Sequence, residues 1–268
     1  MFRSRRRRDA TPACLLLLTM LFILSRLPAA AARPAPTTMT KPHGGGAVIS
    51  RYSFFPDKPR WTRPPGQVDQ PMVLTYALSK TDTVDYLPRD AVRAVLRSAF
   101  ARWAEVIPVS FEEITDDDGY SGAEIKVGFY HGEHGDGAPF DGPRNVLAHA
   151  SPPEDGGLHF DAAEHWSVDL SAEEDKSAVV YDLESVAVHE IGHILGLDHS
   201  TVRRSVMWPT AGPWEREVRL NVDDIEGVQK LYGANPNFSF VEYFKPAHET
   251  PASRFWQLGL AYILLVPF

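Results

Sequence analysis

The chain has 268 residues, with 27 basic and 35 acidic side chains and a formal net charge of −8 at pH 7. This length fits one domain with flanking segments, and the acidic balance argues against nucleic acid as a partner while it suits a domain that binds Ca²⁺. The single cysteine, Cys14, excludes a framework of disulfide bonds within the chain, so bound ions are the expected source of rigidity.

Residues 1–32 are predicted to be a secretory signal peptide. Arginines at 5–8 precede an apolar run at 13–24 and small residues at 29–32, which is the order of regions in a cleaved signal. The apolar run is shorter than the roughly 20 residues that a membrane-spanning helix needs. Residues 33–51 are rich in proline, threonine and glycine, and we expect them to be disordered.

Three strands and one helix are predicted in the next part of the chain. Residues 72–78 alternate in polarity, and residues 109–114 and 124–130 have the composition of two more strands. Residues 89–106 carry apolar side chains at helical spacing, so they are predicted to form a long helix that packs one face on the sheet.

Residues 131–166 are too rich in glycine, aspartate and histidine to pack as an ordinary core. The segment is therefore either a solvated loop or a loop held by ions. The stretches 134–136, 147–150 and 158–161 together offer three imidazoles and a carboxylate, which can complete a tetrahedral structural zinc site. The stretch 141–146, with Asp161 and Glu164, offers carboxylate and carbonyl oxygens that suit Ca²⁺.

A second long helix is predicted to begin after Asp182, whose side chain is a good N-cap. Its apolar positions recur at helical spacing, which indicates one buried face. The residues expected on that face are Leu183, Val186, Ala187, Ile191, Ile194 and Leu195.

The same helix carries the spacing of a zinc site. His189 and His193 are four residues apart and lie on one face of the helix, so both imidazoles can bind one Zn²⁺. Gly196 can leave the helix through a left-handed backbone and bring His199 back to the same metal. Glu190 cannot comfortably join these ligands and suits a general base that takes a proton from water.

This pattern, H-E-x-x-H-x-x-G-x-x-H from residue 189, resembles that of the metzincin zinc endopeptidases. A serine directly after the third histidine, here Ser200, resembles the pattern of the matrixin branch, the matrix metalloproteinases. The resemblance implies that Met207 is the methionine of the Met-turn beneath the zinc. It also implies that the segment from Met207 through Trp208 to Pro209 forms one wall of the S1′ pocket, with tryptophan where the family usually has tyrosine.

The resemblance also implies a fold and domain limits. The expected fold is α+β and zincin-like: a twisted, mainly parallel five-stranded sheet with three helices, and an active-site cleft between a larger N-terminal and a smaller C-terminal subdomain. Residues 52–233 would be the catalytic domain. Matrixins usually carry a propeptide whose cysteine caps the zinc, and residues 39–45 look like a decayed form of that motif without the cysteine. We therefore predict that residues 33–51 are a propeptide remnant without this latency.

Ligands are assigned by the same resemblance. The structural zinc would be bound by His134, Asp136, His149 and His159. Calcium would be bound by Asp141, Gly142, Arg144, Val146, Asp161 and Glu164, the three middle residues through their carbonyl groups. Glu124 is a candidate for a second calcium site, although many relatives have aspartate there. The S1′ pocket would be lined by Val186, Leu195, Trp208 and Pro209.

A last helix is predicted after Asn221, which is its N-cap, and is expected to end at Gly233. Two roles are open for Asp223 and Asp224: in matrixins such a pair can receive the N-terminal ammonium, but acidic residues also stabilise the start of any helix. In the tail, residues 234–268, Asn237 begins a glycosylation sequon.

The end of the tail leaves the question of membrane attachment open. Residues 255–268 are apolar and uncharged, which fits a GPI-anchor signal as well as a peripheral segment.

The sequence thus predicts a monomeric zinc endopeptidase that is secreted to the apoplast or matrix, or anchored to the plasma membrane through its tail. Its partners would be extended peptide or protein substrates of the extracellular matrix or cell wall. The alternative is a secreted, ion-stabilised binding protein with little proteolysis, suggested by the missing switch cysteine. The presence of Glu190 and His199 favours the enzyme.

Overall fold

The computed structural model describes residues 51–63, 71–116 and 119–245. The predicted signal peptide, nearly all of the predicted propeptide remnant and the apolar end of the tail lie outside these residues. Within the described part of the chain, no helix is both long and apolar enough to cross a membrane.

The described chain contains nine strands and five helices. The strands are β1 (Ser53–Phe54), β2 (Met72–Leu78), β3 (Val109–Glu113), β4 (Ile125–Tyr130), β5 (Ala148–Ala150), β6 (Gly157–Asp161), β7 (Trp166–Ser167), β8 (Tyr181–Asp182) and β9 (Leu197–Asp198). The helices are α1 (Arg89–Val106), α2 (Gly119–Gly122), α3 (Leu183–Ile194), α4 (Val222–Tyr232) and α5 (Phe240–Tyr243).

One five-stranded sheet forms the centre of the fold, in the order β3-β2-β4-β6-β5. The first four strands pair in parallel, and β5 pairs with β6 in the antiparallel direction at the edge. The α+β fold with a five-stranded, mainly parallel sheet is therefore confirmed.

The three predicted helices are α1, α3 and α4, with 18, 12 and 11 residues. The structure adds two single turns, α2 and α5, which are too short to leave a periodic signal. The apolar residues that recur at helical spacing in α1 are all buried: Val92, Val95, Leu96, Ala99, Phe100, Trp103 and Val106. The indole nitrogen of Trp103 in α1 donates to the carbonyl of Val188 in α3 at 2.9 Å, so α1 directly supports the helix that carries the histidine motif.

Strands β3 and β4 are each one residue shorter than predicted. At the start of β4, the backbone N–H of Glu124 donates to the Thr75 hydroxyl at 3.2 Å, and the Glu124 carboxylate accepts the Thr75 N–H at 2.6 Å. These hydrogen bonds with the Thr75 and Glu124 side chains take the place of the backbone pairing that would extend β4 to residue 124.

Candidate metal centres

Helix α3 begins and ends where its local sequence requires. The Asp182 carboxylate caps it by accepting the N–H of Ser185 at 2.8 Å. After the helix, Gly196 has a φ of +98°, and a Cβ there would lie 2.2 Å from the carbonyl oxygen of Pro59. Backbone conformation and close packing therefore both require glycine, as the motif predicted.

The chain then turns into β9, which pairs with β1 near the start of the described chain. The Ser53 hydroxyl donates to the carbonyl of His199 at 2.6 Å. The third histidine is thus held by a strand that is distant in sequence.

The three histidines of the motif converge. One ring nitrogen from each of His189, His193 and His199 lies within 4.8 Å of the other two. The Nδ1 atom of His189 is 2.7 Å from the Val206 carbonyl, and that of His193 is 2.8 Å from the Leu197 carbonyl. A hydrogen on each Nδ1 leaves Nε2 as the free donor of an electron pair, which is the arrangement of a metal-binding imidazole.

Burial keeps two of these rings neutral. It lowers the pKa of His189 to about 3 and that of His193 to about 4, in both cases with help from the neighbouring imidazoles. A neutral imidazole is the form that binds a metal, so the donor set fits Zn²⁺ at neutral pH.

Glu190 lies beside this cluster, with 5% of its surface exposed. Its Oε2 atom is buried and has no hydrogen-bond partner among the described residues. Burial raises the pKa of Glu190 to about 8. A carboxylate without a partner in an apolar setting is costly to maintain, which points to a chemical use rather than a structural one.

Met207 packs directly under α3. It is 1% exposed, and a Cβ added to Gly192 would lie 2.2 Å from the Met207 sulfur. The absence of a side chain at Gly192 therefore makes room for the methionine below the histidine cluster. The role of Met207 as the Met-turn methionine stays a prediction.

Asp224 holds this turn in place, a role that the sequence did not reveal. Its carboxylate is fully buried and accepts the N–H groups of Val206 at 3.0 Å and Met207 at 3.2 Å, as well as the Ser205 hydroxyl. It also accepts the N–H of Asn221 at 2.7 Å, as part of the capping box of α4. The capping box was the only local signal, and it does not disclose the contact with a turn 17 residues away.

Asp223 has a different contact. One of its oxygens accepts the backbone N–H groups of Arg51 and Tyr52, both at 3.1 Å, and the other accepts the Ser200 hydroxyl at 2.6 Å. Asp223 therefore ties the start of the described chain to the segment after the third histidine, in addition to its position in the first turn of α4.

A second group of donors forms at the edge of the sheet. The ring nitrogens of His134, His149 and His159 lie 2.9, 2.7 and 2.9 Å from Oδ2 of Asp136. His149 in β5 faces His159 in β6 directly in the register. Burial alone would raise the pKa of Asp136, but the N–H of Ala138 and the two strand histidines lower it well below its usual range. The set has the composition and the tight convergence of a tetrahedral zinc site.

The residues assigned to calcium occupy a neighbouring turn. Oδ2 of Asp161 is buried without a hydrogen-bond partner among the described residues. Burial raises the pKa of Glu164, and the carboxylates of Asp161 and Asp141 add to this effect although the Arg144 N–H opposes it. Unlike the two histidine groups, the three carboxylates do not each bring an oxygen within 4.8 Å of the others in the described chain.

The backbone around these carboxylates adopts left-handed conformations. Gly142 and Arg144 have φ values of 86° and 74°, and Val146 is 43% exposed. Glu124, the candidate for a second calcium site, is bonded to Thr75 and belongs to neither histidine group.

The four residues assigned to the S1′ pocket differ in exposure. Val186 and Leu195 are buried, at 5% and 0%. Trp208 is half-buried, with its indole N–H on the Thr210 hydroxyl at 2.9 Å, and Pro209 is exposed.

Comparison with known proteins gives a consistent result. The sequence model of the matrixin family matches residues 67–233. Metalloendoproteinase 4-MMP of Arabidopsis thaliana is 54% identical over 189 residues, covering 70% of this chain and 52% of the relative. Metalloendoproteinase 1-MMP of the same plant is 51% identical over 70% of this chain and 49% of the relative.

Human matrilysin is 37% identical over 206 residues, which is 74% of this chain and 68% of matrilysin. The chain thus spans about half the length of the two Arabidopsis relatives. Since the family match covers more than half of the chain and includes both histidine groups, the chain belongs to the matrixins, a family of zinc enzymes.

Proposed function

We propose that this chain is a zinc-dependent endopeptidase that hydrolyses peptide bonds in proteins of the extracellular matrix or cell wall. The observation that carries the proposal is the convergence of three histidine nitrogens beside a buried, unpartnered glutamate. Relatives from plants are named as metalloendoproteinases.

His189, His193 and His199 would hold the catalytic zinc. The carbonyls of Val206 and Leu197 support this role because they orient the first two imidazoles. When bound, zinc acts as a Lewis acid, lowering the pKa of a coordinated water to about 7 and stabilising negative charge on oxygen.

Glu190 would be the general base and acid. Burial raises its pKa to about 8 in the absence of a metal, and the positive charge of a bound zinc would favour the ionised carboxylate, so that the group can take up and release a proton near neutral pH. The unpartnered Oε2 would accept a proton from the attacking water and later deliver it to the nitrogen of the leaving amine. Because Oε2 is buried, solvent competes little for that proton.

An extended substrate would bind along β5. This strand is the edge of the sheet and pairs with β6 on one side. Its other side can form backbone hydrogen bonds with an added strand. Ala148 and Ala150 are small, so their side chains let a peptide backbone approach closely.

Selectivity would depend on the S1′ pocket, which would receive the side chain just after the scissile bond. Its lining would be Val186, Leu195, Trp208 and Pro209. The apolar character of these residues supports a preference for an apolar side chain.

Two further ion sites would stabilise the loop before α3. His134, Asp136, His149 and His159 would hold a structural zinc, and their 2.7–2.9 Å contacts support this role. Asp141, Asp161 and Glu164 would hold calcium with the carbonyls of Gly142, Arg144 and Val146, and the unpartnered oxygen of Asp161 supports this. A second calcium site at Glu124 would require that carboxylate to leave Thr75 or to share its oxygens.

The protein would act as a secreted monomer, or anchored to the plasma membrane through the apolar end of its tail, residues 255–268. Glycosylation at Asn237 would fit this location, since that residue is exposed. Expression of the full chain in plant cells, followed by fractionation with and without a phospholipase that cleaves GPI anchors, would separate the two cases.

Peptide cleavage by the purified full chain tests the function. A quenched fluorescent peptide with an apolar residue after the cut should be cleaved, and a zinc chelator should abolish cleavage. Glu190→Gln should keep the zinc and lose activity, whereas Glu226→Gln, an exposed residue of α4, should behave like the wild type. A wild type that folds, binds zinc and cleaves nothing in a diverse peptide library would favour the binding-protein alternative.

A further inference from the structure

The segment after the Met-turn returns to the start of α3. We call residues 208–217 the rim segment. It begins at the proposed wall of the S1′ pocket and ends beside the first turn of the helix that carries Val186. The N–H of Trp214 donates to the carbonyl of Val180 at 2.9 Å, and the N–H of Glu217 donates to the hydroxyl of Ser185 at 2.9 Å. These two hydrogen bonds attach the rim segment to the chain just before α3 and to the first turn of α3.

Arg216 makes the strongest of these attachments. Its guanidinium bridges two carboxylates of the helix start, with Nη1 on Asp182 at 2.6 Å and Nη2 on Glu184. The acceptor side chains are only 1% and 7% exposed, whereas that of Arg216 is 44% exposed. A planar fork between two buried carboxylates fixes both distance and orientation, which a single charge cannot do.

The two carboxylates are themselves held by other groups. The second oxygen of Asp182 caps α3, and the second oxygen of Glu184 accepts the Ser98 hydroxyl at 2.7 Å and the Arg102 guanidinium at 2.6 Å. Burial alone would raise the pKa of Glu184, but the hydrogen bonds from Ser98, Arg102 and Arg216 lower it below its ordinary value. Glu184 is therefore ionised, and Arg216 connects the rim segment to both α3 and α1.

We propose that Arg216 is a positioning residue for substrate selectivity: by fixing the rim segment to the first turn of α3, it sets the width of the S1′ pocket. The inference rests on the proposed endopeptidase function. It concerns how strictly the enzyme chooses the residue after the cut, not the chemical step. Without this bridge the rim segment keeps the hydrogen bonds of Trp214 and Glu217 but loses its ion pairs, so it moves more freely relative to Val186 and the pocket accepts larger side chains.

Arg219 provides a matched comparison in the same part of the chain. Its guanidinium contacts α5 and the residue after it, with the Tyr243 and Phe244 rings each 5.3 Å from its central carbon. It makes no ion pair with the helix start among the described residues. Arg216→Gln and Arg219→Gln thus remove the same charge, but only the first removes the ion pairs between the rim segment and the start of α3.

The test uses the full chain and two quenched peptides that differ only in leucine or tryptophan after the cut. For Arg216→Gln we expect the ratio of kcat/KM values, leucine over tryptophan, to fall about tenfold, the size of effect that one methylene group has in an apolar pocket. The change should arise mainly from a lower KM for the peptide that has tryptophan after the cut. Arg219→Gln should keep the wild-type ratio, and Arg216→Lys, which keeps the charge but not the fork, should be intermediate.

Zinc content and thermal melting are measured for every variant, so that loss of folding is recognised. If Arg216→Gln does not fold, Arg216→Lys carries the same test. An unchanged ratio in a folded Arg216 variant overturns the inference, and so does an equal fall in Arg219→Gln. If the wild type cleaves neither peptide, the proposed function fails and the inference fails with it. If it cleaves them and only the ratio is insensitive to Arg216, the inference alone fails.

Discussion

Substitution of Asp224 by asparagine should reveal how strongly α4 supports the metal centre. The carboxylate accepts three backbone N–H groups and one hydroxyl, and it has no exposed surface. Asparagine has nearly the same shape but turns one oxygen into an N–H₂ donor. In one orientation the amide N–H₂ group faces the N–H groups of Val206 and Asn221, which have no other acceptor among the described residues. In the other orientation it faces the N–H of Met207, which keeps the Ser205 hydroxyl as an acceptor at 3.0 Å.

The magnitude follows from these contacts. In the better orientation the bond to Met207 is lost and the bonds to Val206 and Asn221 become neutral. A hydrogen bond to a charged group contributes about 1.5–3 kcal/mol and a neutral one about 0.5–1.5 kcal/mol, so we expect a loss of about 2–4 kcal/mol. A domain of ordinary stability, about 5–15 kcal/mol, would still fold. The loss should also reach His189, because the Val206 carbonyl that orients its ring belongs to the same turn. Disturbed support of a zinc ligand typically weakens metal binding by about 10- to 100-fold.

Urea unfolding at pH 7, followed by tryptophan fluorescence, measures the first effect, and competition with a zinc chelator measures the second. Asp90→Asn is the control, because Asp90 has a side chain that is 93% exposed and its ion pair with Arg93 lies on the surface of α1. Such a pair contributes about 0–1 kcal/mol. If Asp224→Asn lost no more stability than Asp90→Asn and kept its zinc affinity, the assigned role of Asp224 would be wrong.

Three further predictions concern packing, zinc content and pH. Gly192→Ala should cost about 1–3 kcal/mol of unfolding free energy, because its Cβ would meet the sulfur of the Met-turn methionine, whereas Gly122→Ala, with no atom within 4 Å, should be neutral or slightly stabilising in urea unfolding. His149→Ala should lower the zinc content, measured by mass spectrometry of the metal, from about two ions per chain to about one; an unchanged content would exclude the structural zinc site. Glu184 has a lowered pKa, so its share of stability is present above its ordinary value of 4.5 and is lost as the pH falls through its folded-state pKa. The free energy of unfolding in urea should therefore decrease less between pH 6 and pH 4 in Arg102→Gln than in the wild type. An equal or larger decrease in the variant would contradict this.

Local sequence was sufficient for the three longer helices and for the residues at which they begin. The apolar spacing of residues 89–106 predicted α1 with its observed limits. Asp182 and Asn221 predicted the starts of α3 and α4, because an N-cap side chain bonds to N–H groups two or three residues away. Each of these signals depends on neighbours along the chain.

The proposed metal ligands were also accessible from sequence, but in two different ways. His189 and His193 are on one helix, so their spacing alone places them on one face. For His149 and His159 the sequence left a choice between a solvated loop and an ion site. Their direct opposition depends on the register of β5 against β6, which is a tertiary property.

What the sequence alone determined was the family resemblance, the sheet and three helices, and the residue types suited to zinc. Only the tertiary structure decided that Asp224 supports the Met-turn, that Arg216 joins the rim segment to α3, and that burial raises the pKa of Glu190 to about 8. The physical reason is that periodicity and capping act over a few residues. Buried hydrogen bonds and desolvation instead depend on residues brought together from distant parts of the chain.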